Sequence, residues 1–101
     1  MKTNITPDHI LSLEAGEELD RLHMKYVMKF QLYNSIFSPS RWIGDAWMGI
    51  EELQRRGPGS LETMQAYLPE DKSLIEMTDK EAALAITRAC VIAALIAEDV
   101  L

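Results

Sequence analysis

From Ala82 to Ala97 only Thr87 and Arg88 interrupt a run of Ala, Leu, Ile, Val and Cys. A helix that is apolar on nearly every side is stable only when most of its circumference is buried, so the other elements must cover it. Its start is marked by Thr78 with Glu81 three residues later, a capping box, and the spacing predicts a helix from Asp79 to about Glu98. The longest unbroken apolar stretch, from Ala89 to Ala97, falls well short of the roughly 20 residues that cross a bilayer. The segment therefore reads as the central helix of a globular core. With 101 residues, 48% of them hydrophobic and 26% charged, residues 1–101 are expected to form one domain around that helix.

The N-terminal half supplies the covering helices. Thr6, Pro7 and Asp8 form a helix start, with Thr6 as N-cap and Pro7 at the first helical position. Ala15, Leu19, Leu22 and Tyr26 keep the spacing of one apolar face, while Glu14, Glu17, Glu18 and Asp20 are assigned to solvent. Gly16 interrupts this pattern, which predicts a short helix, a kink and a longer helix ending near Lys29. Arg21, Lys25 and Lys29 form a basic stripe expected to pair with acidic neighbours. Phe30 to Ser38 fits either a short strand or an ordered loop. Ser38, Pro39 and Ser40 announce another helix, with Ile43, Ala46, Trp47, Ile50 and Leu53 on its inner face and Gly57 and Pro58 as its stop. Trp42 and Trp47 lie about 140° apart on such a helix, so one is expected in the core and the other at an edge or interface.

Between Leu61 and Leu68 apolar and polar residues alternate, and Pro69 to Lys72 form a turn before Ser73 to Met77. That pattern reads as an antiparallel hairpin. The expected fold class is α+β: helices packed on a small antiparallel sheet, helix-rich, with the C-terminal apolar helix at the centre. An isolated hairpin is marginal, which also predicts self-association into a homo-oligomer.

Three segments carry a family resemblance: Leu13 to Leu22 with Val27 and Met28, Ser38 to Ser40 with Ala46 and Trp47, and Leu84 to Cys90. Together they resemble the phage ABA sandwich domain family, a set of small bacteriophage and prophage proteins. The resemblance covers most of the chain and implies an α-β-α arrangement and a phage origin more than an activity. This sequence departs from the family pattern in having Lys29 and Phe30 where a glycine and a tryptophan usually follow the Val-Met pair. It departs again in a short connection to the second helix, and in Thr87 where the family often has cysteine.

Chemistry-bearing motifs are sparse. Gly57-Pro58-Gly59 lacks the Lys and Ser/Thr of a phosphate loop, and His9 and His23 lack the spacing of a helical metal site. Neither a metal nor another cofactor is expected, and no nucleophile, base and orienting group can be assembled, so the chain reads as non-enzymatic. Lone Cys90, in apolar surroundings, reads as a core residue and suggests a reducing compartment. Pro7 and Asp8 stand where a signal peptide would be apolar, and the expected location is the cytoplasm, that of the host given the resemblance. Sixteen Asp and Glu against ten Lys and Arg leave a net charge of −6, which disfavours nucleic acid and membranes as partners.

Arg88, mid-way along an apolar helix, needs a partner for its charge. A salt bridge to an acidic residue such as Asp20 or Asp45 is the simplest solution. The alternative is an anionic ligand bound by Arg88, Arg41 and the aromatic Trp42 or Tyr67. The functional expectation is an accessory phage protein that counteracts host defence by sequestering a small nucleotide signal or by binding a host defence protein. The competing reading is a phage structural or assembly protein acting through protein–protein contacts alone.

Overall fold

The computed structural model describes residues 6–29 and 36–99. The chain runs through α1 (Pro7–Ser12), α2 (Glu17–Leu22), a π-helical segment (His23–Met28), α3 (Ile43–Arg56), α4 (Pro58–Ala66) and α5 (Asp79–Ala97). There is no strand among the described residues, which corrects the α+β expectation and the α-β-α sandwich implied by the resemblance: the fold is all-helical. The possible strand from Phe30 falls at residues 30–35 outside the described residues, while Ile36 to Ser38 is turn and loop.

The predicted hairpin is instead α4 followed by turns from Tyr67 to Met77. Leu61, Met64, Tyr67 and Leu68 all pack on the core, a spacing of three to four that fits a helix as well as the alternation fits a strand. Pro58 decides between them. It ends α3 together with Gly57, whose φ of 123° favours glycine, and as the first residue of α4 it starts a new helix that lies against α5.

The central role of α5 holds. Thr78 Oγ1 accepts from Glu81 N and the Glu81 carboxylate accepts from Thr78 N, completing the capping box. Twelve of its residues are buried, and α1, α2, the π segment, α3 and α4 all pack against it. Thr6 caps α1 as expected, Thr6 Oγ1 accepting from His9 N at 3.1 Å. The break falls at Gly16, and the second helix ends at Lys29 in the left-handed conformation.

Winding changes to π geometry at His23. Positions 19, 23 and 27 are all buried. On a regular helix each step of four residues drifts about 40° around the axis, and the wider π turn brings Val27 back to the face of Leu19 and His23. Surface pairs follow the basic stripe: Arg21 with Glu17 and Lys29 with Glu98.

Two placements differ from the sequence reading. Asp20 is 2% exposed rather than solvated. Trp42 and Trp47 are both exposed, at 59% and 49%, because Trp42 precedes α3 as its N-cap and Gly49, not Trp47, occupies the inner face with Ala46 and Leu53.

Candidate functional site

The turn before α3 is built on a buried carboxylate. Asp20 Oδ2 accepts from Ser38 Oγ at 2.6 Å and Asp20 Oδ1 from Ser40 N at 2.9 Å, while Ser38 N donates to Asp45 at 2.9 Å. Ser40 Oγ in turn accepts from Gly16 N at 3.0 Å, tying the turn to the loop between α1 and α2. The Ser-Pro-Ser sequence therefore does more than start a helix. Both hydroxyls and two backbone N–H groups are used inward, and the next two residues, Arg41 and Trp42, face outward.

These two side chains border a groove of about 480 Å³ whose other lining residues are Ala15, Ser40, Lys80, Glu81 and Leu84. Neither the Arg41 guanidinium nor the Lys80 ammonium has an ion pair or hydrogen bond among the described residues. Two free cations beside an apolar floor and an exposed indole can hold an anion that carries a flat ring: the cations take the charge and Trp42 stacks. Glu81 is the carboxylate of this groove. Hydrogen bonds from Thr78 N and from Lys72 hold its pKa below the ordinary carboxylate value, so it is ionised.

Arg88 lies in an adjoining cavity of about 240 Å³ with Pro69, Asp71, Lys72, Met77 and Ala85; Glu81 and Leu84 line both. Its partner is neither of the carboxylates expected. Asp20 and Asp45 are engaged by the Ser38–Ser40 turn, and Arg88 donates from Nε to the Leu13 carbonyl at 2.7 Å, with a terminal guanidinium nitrogen on the same oxygen. Burial lowers the Arg88 pKa, and the charge of Glu14 opposes that shift. Arg88 thus anchors the loop that places Ala15 in the groove. Of the four residues singled out from sequence, Arg41 and Trp42 come together, Arg88 lines the adjoining cavity instead, and Tyr67 packs against the core and lines neither cavity.

Lys80 and Glu81 were missed as site residues. Their sequence signal, a helix N-terminus with a capping box, concerns local structure and says nothing of what lies opposite. No group of three or more His, Cys, Asp and Glu among the described residues could hold a metal. Cys90 is buried, and burial pushes its thiol up to about 12, far from a reactive thiolate. No helix among the described residues is long and apolar enough to cross a membrane. No family model matches the chain, and no curated protein or solved structure matches it either.

Proposed function

We propose that this chain is a non-enzymatic binding protein that takes a small anion bearing a flat ring, the size of a nucleoside monophosphate, into the groove beside Arg41 and Trp42. The observation that carries this reading is a pair of cations without a partner among the described residues, Arg41 and Lys80, beside an exposed tryptophan in a chain of net charge −6. A groove of about 480 Å³ falls within the range of small-ligand sites. The wall that presents Arg41 and Trp42 is held by Asp20, so little ordering entropy is lost on binding.

The role proposed for such binding is sequestration of a small nucleotide signal. The setting, a phage accessory protein withdrawing a nucleotide from host defence in the host cytoplasm, rests on the resemblance carried by residues 13–22 with 27–28, 38–40 with 46–47, and 84–90, and not on the groove. A second reading, a protein partner, draws on Trp47 and Met48, both exposed on the outer side of α3.

Calorimetric titration with nucleoside monophosphates, the matching nucleosides and inorganic phosphate tests the groove. The monophosphates are expected to bind more tightly than either part alone, and Arg41→Ala and Trp42→Ala each to weaken them about tenfold or more. Absence of binding at millimolar monophosphate rejects the reading and leaves the protein-partner alternative.

A further inference from the structure

We infer that the groove selects guanine nucleotides, with Glu81 reading the base. This rests on the nucleotide reading above and deepens it. For a bare anion Glu81 is a liability, since an ionised carboxylate in the lining repels the charge that Arg41 and Lys80 attract. The conflict disappears when the ligand brings N–H donors to that carboxylate.

Among the common nucleobases, guanine alone carries two adjacent donors, N1–H and the exocyclic amino group, matched to the two oxygens of a carboxylate. Adenine sets an acceptor, N1, beside its amino group and would face Glu81 with one repulsive contact. Cytosine does the same with N3, and uracil offers one N–H between two carbonyls.

The position of Glu81 fits this role. It is shared by the groove and the adjoining cavity and so lies at their boundary, with Trp42 and Leu84 in the groove lining for stacking and packing. Its carboxylate is steadied by Thr78 N at 3.2 Å to Oε1 and by Lys72 Nζ at 3.1 Å to Oε2 and 3.3 Å to Oε1. A carboxylate has about four acceptor sites, so one is left over. The Lys72 contact is a solvent-exposed pair of the kind that is easily given up, which provides the second.

Equilibrium titration of the full chain with GMP, IMP and AMP is the test. GMP is expected to bind about tenfold or more tightly than AMP, and IMP, which keeps N1–H and lacks the amino group, to fall between. Glu81→Gln is expected to bring GMP close to AMP without lowering the melting temperature much, because glutamine also serves at that position of a capping box. Arg41→Ala should weaken all three nucleotides alike. Equal affinity of the three nucleotides for the wild-type chain, or a GMP preference that survives Glu81→Gln, overturns the inference while leaving the nucleotide reading standing. Failure of all three to bind removes that reading, and the inference with it.

Discussion

At Gly49 the π segment leaves α3 no room for a side chain, and the reason is one atom. A Cβ at that position would lie 2.4 Å from His23 Nε2 and 3.5 Å from Cys90 Sγ, so only glycine leaves room for the fully buried imidazole. Gly49→Ala is expected to destabilise the domain by about 1–3 kcal/mol, seen as a lower denaturant midpoint, because the buried imidazole must move to admit the methyl group. His23 itself makes stability depend on pH. Both ring nitrogens are buried without a hydrogen-bond partner, and desolvation lowers its pKa from 6.5 to about 3. Between those values the unfolded chain takes up a proton that the folded chain refuses, so this contribution is whole above pH 6.5 and is lost as the pH falls toward 3. Its slope approaches about 1.4 kcal/mol per pH unit at most. Thermal unfolding from pH 7 to pH 4 should show a steeper loss in the wild type than in His23→Gln; parallel curves would refute the buried neutral histidine.

At the scale of elements, one helix end is closed by another helix. The π segment finishes at Met28, and Arg56, in the last turn of α3, donates to the Tyr26 and Val27 carbonyls at 3.1 and 2.6 Å. A cation at this end also complements the negative pole of the helix. Arg56→Met keeps much of the stem while removing both bonds, and a loss of about 2 kcal/mol is expected from chemical unfolding. Arg55→Met, which removes an exposed guanidinium paired with Glu52, should change stability by less than about 0.5 kcal/mol and serves as the control. The same element-level logic explains why α4 replaced a hairpin. A residue run compatible with both periods adopts the one that its neighbours can bury, and the long apolar side of α5 offers a surface to a helix but no edge to a strand. With the hairpin goes the reason it gave for self-association.

For the whole molecule, α5 is the element whose failure none of the others can absorb. Ala89 is fully buried in the apolar core, and Ala89→Asp would take a carboxylate out of water there. The cost of several kcal/mol is comparable with the total stability of a domain this size, so the variant should be unfolded by circular dichroism at 25 °C. A native melting curve would contradict the central placement of α5. Much of this was legible in the sequence: Thr6 and Pro7, the break at Gly16, the stop at Gly57 and the Thr78–Glu81 box are signals within a few residues of the groups they satisfy. What is local in cause is local in the text. The sequence alone also determined that α5 is central, because a helix apolar on nearly every side, with an apolar run too short to cross a bilayer, is stable only when other elements cover it. Tertiary structure decided the rest. Asp20 is buried because Ser38 and Ser40, eighteen and twenty residues later, deliver donors to it, and Arg88 takes a carbonyl seventy-five residues earlier in place of a carboxylate. Arg41 and Lys80 become one site for the same reason: residues far apart in sequence are joined by packing, and a pattern of spacing along the chain carries no record of which distant element will lie opposite.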